Sequence, residues 1–229
     1  MTKKDVQEMF DAAVHIGHRK HKWNPKMKKF IFGERNGIHI INLEKVVDYL
    51  DRALVFLSKS VADGKTVLFV STKPQSVKLL EESASECRMP FVVSKWIPGL
   101  LTNFSSVKNR IKYLADLKKQ EETGEFAKYT KQEASKLRKV IAKLQIALGG
   151  VQNLTSRPDV VFVADVLRDK IVVKEAKKLR IPVIGIVDTN ADPTSVDYPI
   201  PGNDDALRSL SYLVGRIKDA ILDSGKAKK

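Results

Sequence analysis

The sequence has little cysteine and no long apolar segment, and each shortage excludes a class of protein. Cys87 is the single cysteine among 229 residues, so neither a disulfide framework within the chain nor a multi-cysteine zinc site can form. Residues 1–10 contain two lysines and two acids in place of an apolar core, unlike a secretory signal or a transit peptide. The longest apolar runs, such as Ile181–Val187, have the length of a strand. We therefore expect a cytoplasmic protein that does not cross a membrane.

Acidic residues are too few to balance the basic ones. The chain has 41 Lys and Arg against 27 Asp and Glu, a net charge of +14, while 43% hydrophobic residues suffice for a folded core. Its length suits one large domain, or one domain with an insertion. A charge of this size concerns partners, and the two candidates are nucleic acid and an anionic membrane surface. No predicted helix combines a basic face with a strong apolar stripe, which favours nucleic acid.

Short apolar runs alternate with amphipathic helical patterns along the chain. The predicted strands are Thr66–Ser71, Phe91–Ser94, Val160–Ala164 and Val183–Val187. The predicted helices are Leu43–Ala62, Gln75–Cys87, Lys170–Leu179 and Asp204–Leu222. Continuous apolar strands are typical of a parallel sheet with both faces covered. The alternation predicts a doubly wound α/β fold around a mainly parallel sheet.

Residues 104–149 interrupt this alternation. Apolar residues recur there every three or four positions, at Phe104, Val107, Ile111 and Leu114 and again at Leu137, Ile141, Leu144 and Leu148. This spacing predicts a coiled-coil seam, and the polar residues 120–124 allow the chain to fold back. We expect an antiparallel helical hairpin inserted into a discontinuous α/β domain of residues 1–103 and 150–229. Its last residues, 223–229, are expected to form a flexible basic tail.

The positive charge is concentrated in three places. His18–Lys29 holds six Lys and Arg and no acid, and Lys226–Lys229 holds three lysines. Phe104–Gly150 holds 11 Lys and Arg against 5 Asp and Glu. Gly185–Gly215 is the reverse, with five Asp and only Arg208 as a basic residue. We expect one side of the molecule to face RNA and another side to face away from it.

The His18–Lys29 segment is typical of a loop that lies along a phosphate backbone, because Lys and Arg neutralise phosphates and an indole stacks on a base or sugar. The alternative is a solvated basic turn with Trp23 buried in its own domain. Three separate basic stretches in one chain favour RNA. The expected contacts are Arg19, Lys20, His21, Lys22, Trp23, Asn24, Lys26, Lys28 and Lys29, with Lys108, Arg110 and Lys112 of the hairpin as a second set.

Motifs for nucleotide binding and nucleophilic catalysis are missing. Neither G-x-G-x-x-G nor G-x-S-x-G occurs. The remaining enzyme-like feature is a pair of acids, Asp165 and Asp188, that directly follow predicted strands. The carboxyl ends of parallel strands form the usual ligand crevice of such a fold. An RNA-modifying or nucleotide-binding enzyme that uses this crevice is therefore the alternative function.

Acids near the end of the chain allow two interpretations. His18, Asp188 and Asp204 could hold a divalent cation through hard ligands. Alternatively, Asp204 and Asp205 occupy the first turn of the last helix, with Asn203 as its N-cap, and each carboxylate stabilises the helix dipole by about 0.3–1 kcal/mol. We favour the second interpretation and expect no cofactor.

Four segments together resemble the bacterial and organellar family of small ribosomal subunit protein two. They are Ala12–Lys45, Lys95–Phe104, Leu148–Leu154 and Ile181–Ser209. The resemblance implies a Rossmann-like domain with an inserted helical hairpin, no enzymatic activity, and a place between the head and body of the small subunit. The implied partners are 16S-type rRNA and other small-subunit proteins, including the large mRNA-binding protein one, in a bacterial cytoplasm rather than an organelle. No membrane and no homo-oligomer are expected. The resemblance also marks Lys95, Trp96, Thr102 and Asn103 as RNA-facing.

Overall fold

The computed structural model describes residues 3–226, and the side chains of residues 5–225. The helices are α1 (Lys3–Asp11), α2 (Leu43–Ala62), α3 (Val77–Glu86), α4 (Phe104–Glu122), α5 (Lys131–Leu148), α6 (Lys170–Lys178) and α7 (Leu207–Lys226). The strands are β1 (Ile16–Arg19), β2 (Ile31–Arg35), β3 (Ile38–Ile41), β4 (Val67–Val70), β5 (Phe91–Val92), β6 (Val160–Val163), β7 (Val183–Val187) and β8 (Tyr198–Pro201).

The core is a parallel sheet in the order β5-β4-β6-β7-β8. Every residue of β4, β6 and β7 is buried, which explains why these strands are apolar throughout. Leu68 and Val70 join a hydrophobic cluster that includes residues of α6 and of the base of α4. Val67 and Phe69 point to the other face and join a cluster with α2, α3 and α7. Because helices cover both faces, the predicted doubly wound α/β fold is confirmed.

The sequence patterns did not predict two parts of the fold, a small second sheet and the edge strand β8. A small antiparallel sheet in the order β1-β3-β2 forms within residues 16–41. The edge strand β8 contains Pro199 and Pro201, which usually argue against a strand. Among the described residues it pairs with β7 alone, so its outer edge needs no backbone donor, and proline is tolerated there.

The segment 104–149 forms two helices, α4 and α5, that contact each other. Leu114 and Leu117 of α4 are buried, and Arg138 Nε of α5 lies 2.9 Å from Glu121 Oε1 of α4. A capping box between Thr130 and Glu133 begins α5. The coiled-coil pairing of these helices and the division into a discontinuous domain with an insertion stay predictions.

The end of the chain continues α7 as far as Lys226. The expected tail of residues 223–229 therefore starts inside this helix, and its last residues, 227–229, lie outside the described residues. Within residues 3–226, no helix is long and apolar enough to cross a bilayer.

Candidate nucleic-acid interface

The basic segment His18–Lys29 lies at the carboxyl edge of the parallel sheet. The backbone N–H of His18 donates to Thr189 Oγ1 at 2.8 Å, and that of Asn24 donates to the Thr189 carbonyl oxygen at 2.7 Å. Thr189 is the second residue after β7, so two hydrogen bonds join the segment to the sheet. The prediction of a loop is corrected, because 3-10 turns at Lys20–Lys22 and Pro25–Phe30 give the segment regular structure.

Buried side chains hold the second 3-10 turn in place. Met27 and Phe30 are fully buried, whereas Lys26, Lys28 and Lys29 on the same turn are exposed. Burial of the two apolar side chains stabilises the turn by about 1.5–3 kcal/mol each. The turn therefore presents its lysines to solvent from a rigid base.

Two of the predicted phosphate contacts in this segment are paired with carboxylates. Lys20 Nζ lies 2.8 Å from Glu34 Oε2, and Lys26 Nζ lies 2.6 Å from Asp192 Oδ2. Exposed pairs of this kind contribute little stability and can exchange for phosphate. Within the described part of the chain, four exposed basic residues of the segment have no carboxylate within 4.0 Å: Arg19, Lys22, Lys28 and Lys29.

Some polar and aromatic residues of the segment stabilise its structure, and others are exposed to solvent. The Asn24 side chain accepts a hydrogen bond from the Lys26 backbone at 3.0 Å and caps the second turn. His21 is exposed, whereas Trp23 is half-buried with its ring centroid 5.2 Å from that of His39. Both ring nitrogens of the buried His39 are without a hydrogen-bond partner in the structure. Trp23 thus packs on one side and keeps part of its indole open to solvent.

A concave pocket of about 590 Å³ adjoins this segment. Arg19, Lys20 and His21 line one part of it, and the turn between β2 and β3 lines the rest. That turn needs Asn36 and Gly37, whose positive φ angles of 52° and 75° favour these residue types. The pocket therefore combines basic side chains with a rigid turn.

The Lys95–Asn103 segment differs from its predicted role. Lys95 and Asn103 are exposed, but Trp96 is only 6% exposed and its Nε1 donates to Glu175 Oε1 at 3.0 Å. The backbone and hydroxyl of Thr102 both donate to Glu175 Oε2 at 3.1 Å. Trp96 and Thr102 are thus corrected from RNA-facing to structural residues, because one buried carboxylate uses their polar groups.

Glu175 was missed by the sequence patterns, although one signal was present. It stands on the buried face of α6 between Val172 and Ala176, where a lone acid is unusual. Burial opposes its charge, but the hydrogen bonds from Trp96 and the loop backbone outweigh that effect and lower the pKa of Glu175. The carboxylate is therefore ionised inside the protein.

The hairpin residues Lys108, Arg110 and Lys112 are exposed on α4. Lys108 and Lys112 are four positions apart and share one helix face, whereas Arg110 points away from both. Lys108 Nζ also lies 3.5 Å from the Thr155 carbonyl oxygen. The three residues therefore do not form one continuous contact patch.

The acids at the carboxyl edge surround Lys73 rather than capping α7. Lys73 Nζ lies 2.8 Å from Asp204 Oδ1, 2.6 Å from Asp205 Oδ1 and 3.3 Å from Asp165 Oδ2. The helix itself begins at Leu207. The interpretation of Asp204 and Asp205 as residues of its first turn is wrong, because the helix starts after them and both carboxylates pair with Lys73.

The side chain of Asn203 supplies the hydrogen bonds that precede α7. Its Oδ1 accepts from the backbone N–H groups of Asp205 and Ala206 at 2.8 and 3.1 Å. The amide therefore leaves the neighbouring carboxylates available to Lys73.

His18 completes this cluster and links it to the basic segment. Its Nδ1 lies 3.1 Å from Asp188 Oδ2, and its Nε2 lies 3.3 Å from Asp205 Oδ2. The hydrogen bond to Asp188 raises the pKa of His18, although burial works against the charge. Burial and the nearby Asp188 and Asp165 raise the pKa of Asp204 to about 7. The cluster thus holds several acids close together by means of Lys73 and His18.

The residues suggested for a cation do come together. Ligand atoms of His18, Asp188 and Asp204 lie within 4.8 Å of one another. The ammonium of Lys73 already supplies positive charge beside Asp204, at 2.8 Å. A bound divalent cation stays the alternative interpretation of this cluster.

The crevice suggested for an enzyme is occupied by these internal contacts. Asp165 is 6% exposed and Asp188 is 1% exposed. Asp165 Oδ1 accepts from the Arg168 backbone at 2.8 Å, and Asp188 accepts from both the backbone and the hydroxyl of Thr189. Asp165 and Asp188 are therefore buried and hydrogen-bonded to neighbouring residues, which indicates a structural role.

Comparison with known proteins points to one family. The family model described as ribosomal protein S2 matches residues 9–224. A protein of Dehalococcoides mccartyi named small ribosomal subunit protein uS2 is 44% identical over 225 residues, which covers 98% of this chain and 92% of the relative. Proteins of the same name from Campylobacter fetus and Campylobacter hominis are 46% identical over 222 residues, 97% of this chain and 86% and 83% of the relatives.

Proposed function

The chain belongs to the ribosomal protein S2 family, and we propose that its basic segment, His18–Lys29, binds the rRNA of the small subunit. The family is structural and non-enzymatic, and the protein is a constituent of the small ribosomal subunit. The alternative of an RNA-modifying or nucleotide-binding enzyme finds no support in the crevice or in the relatives.

The observation that carries the proposal is a set of four exposed cations on one anchored segment, none of which has a carboxylate within 4.0 Å among the described residues, although Lys29 Nζ donates to Tyr49 Oη at 3.3 Å. Lys28 and Lys29 project from the turn that Met27 and Phe30 fix to the core, whereas Arg19 ends β1 and Lys22 ends the first 3-10 turn. Cations held in fixed positions can each neutralise a phosphate and release its counterions. Lys20 and Lys26 add to the contact when phosphate replaces their carboxylate partners.

Aromatic and polar groups extend this contact. We propose that the open part of Trp23 stacks on a base or ribose, and that His21 and the pocket beside Arg19 receive a backbone phosphate. Lys95, Asn103, Lys108 and Lys112 form a second contact at the base of α4, and Arg110, on another face of the helix, contacts a separate stretch of RNA.

The partners can be specified further as part of the proposal. We propose 16S-type rRNA in a bacterial cytoplasm, since the relatives are bacterial proteins of the small subunit. Neighbouring ribosomal proteins, including the large mRNA-binding protein one, would dock away from the basic segment, and the chain would act as a single copy. Asp192 and Asp205 of the acidic stretch Gly185–Gly215 contact Lys26 and His18 of the basic segment, so this stretch does not by itself mark a separate protein-facing side.

The test is the salt dependence of binding to small-subunit rRNA. Replacing the six basic residues of Arg19–Lys29 with Gln should lower the slope of log affinity against log salt by about 0.7–0.9 for each phosphate that is no longer neutralised. The control replaces six exposed lysines elsewhere with Gln, so that both variants have the same net charge: Lys59, Lys65, Lys78, Lys174, Lys177 and Lys178. An equal slope for the two variants would show that the proposed segment is wrong.

A further inference from the structure

Glu175 is a buried carboxylate that receives five hydrogen bonds from a single loop. Its Oε1 accepts from Trp96 Nε1 at 3.0 Å and from the Gly99 backbone at 2.7 Å. Its Oε2 accepts from the Leu101 backbone and from the backbone and hydroxyl of Thr102, each at 3.1 Å. The donors span seven residues of the chain between β5 and α4, so the loop is wrapped around the carboxylate.

The charge of Glu175 is balanced by dipoles alone. Within the described residues, all five hydrogen bonds to its oxygens come from neutral groups. A buried carboxylate held by neutral groups is stable only while its hydrogen-bond donors stay in place. Gly99 adopts a φ of 90°, which lets the backbone turn toward the carboxylate. The loop conformation and the ionised state of Glu175 therefore depend on each other.

The same loop joins the two proposed rRNA contacts. Leu100 and Leu101 are fully buried in the hydrophobic cluster that also contains Met27 and Phe30, beneath the exposed lysines of the basic segment. At its two ends the loop carries the exposed residues Lys95 and Asn103. Order in this loop therefore sets where the second contact lies relative to the first.

We infer that Glu175 is a positioning residue, which holds the Lys95–Asn103 loop and the start of α4 in the geometry that small-subunit rRNA recognises. This inference rests on the proposed function. It assigns the role to a residue on α6 that itself touches no RNA, since it is only 8% exposed.

The test compares Glu175→Gln with Val173→Ala in the full chain. The amide keeps the size of the side chain but turns two acceptor positions into an N–H₂ group that faces other donors. Val173 lies on the same helix and is 4% exposed, so its truncation lowers stability without changing the carboxylate. Hydrogen exchange of the free protein should rise at least about tenfold in residues 96–103 for Glu175→Gln, and much less for Val173→Ala.

The second readout is hydroxyl-radical protection of small-subunit rRNA by each variant, under conditions where both are folded. Glu175→Gln should lose the protection given by the loop and α4 while keeping that given by the basic segment. Equal effects in the two variants, or unchanged rRNA protection despite a loosened loop, would overturn the inference. Neither result bears on the contact proposed for the basic segment, which is tested separately by the variant with six Gln residues.

Discussion

The backbone N–H of His18 lies 2.8 Å from the Oγ1 of Thr189, and this hydrogen bond fastens the basic segment to the end of the central sheet. The approach is possible because residue 17 has no side chain. A Cβ on Gly17 would lie 2.5 Å from Thr189 Cγ2 and 3.0 Å from the His39 carbonyl oxygen. The position of the proposed RNA contact thus depends on a glycine that carries no charge.

Gly17→Ala should therefore destabilise the protein by about 1–3 kcal/mol, because the new methyl group forces the segment away from Thr189. Urea unfolding measures this loss. Gly33→Ala is the matched control, since a Cβ there meets nothing within 4 Å. A Gly17→Ala midpoint as high as that of the control would contradict the proposed close packing.

Lys73→Met should lower the free energy of unfolding by about 3–5 kcal/mol at pH 7.5, because it leaves Asp165, Asp204 and Asp205 without their shared cation. The loss should shrink at pH 5, where the buried Asp204, whose pKa is raised to about 7, takes up a proton. Lys20→Met removes an exposed ion pair with Glu34 and should cost less than about 1 kcal/mol. A pH-independent loss in Lys73→Met would be evidence against carboxylate repulsion.

His18 should titrate above 6.5, since its hydrogen bond to Asp188 raises the pKa of the imidazole. The stability that this protonation adds is fully present below pH 6.5, and it is lost as the pH rises through the raised pKa. NMR titration of the His18 ring measures the value directly. Asp188→Asn should lower the pKa of His18, whereas Asp63→Asn, at an exposed position, should leave it unchanged.

Trp23→Leu should weaken rRNA binding by about 1–3 kcal/mol, because the indole can no longer stack on a base or ribose. The salt slope should stay the same, since an indole neutralises no phosphate. Lys22→Gln should behave in the opposite way and reduce the slope by about 0.7–0.9. Filter binding over a range of salt concentrations separates the two effects, and a changed slope in Trp23→Leu would argue against stacking.

Much of the α/β core could be predicted because its signal is local. Helix α2 spans the predicted Leu43–Ala62, and β7 spans the predicted Val183–Val187. Both elements lie against other core elements along their length, so burial imposes an apolar pattern that is visible along the chain. Strand β8 lacked such a pattern, since its prolines are acceptable only at the edge that the sheet happens to leave open.

Only part of the candidate site could be predicted from local sequence patterns. The density of positive charge in His18–Lys29 follows from residue content, because charge is a property of each side chain. The pairing of Lys73 with Asp204 across 131 positions, and of Glu175 with Trp96 across 79, exists only in the folded chain. A polar side chain takes its role from the groups packed against it, and those groups come from distant parts of the chain that folding brings together.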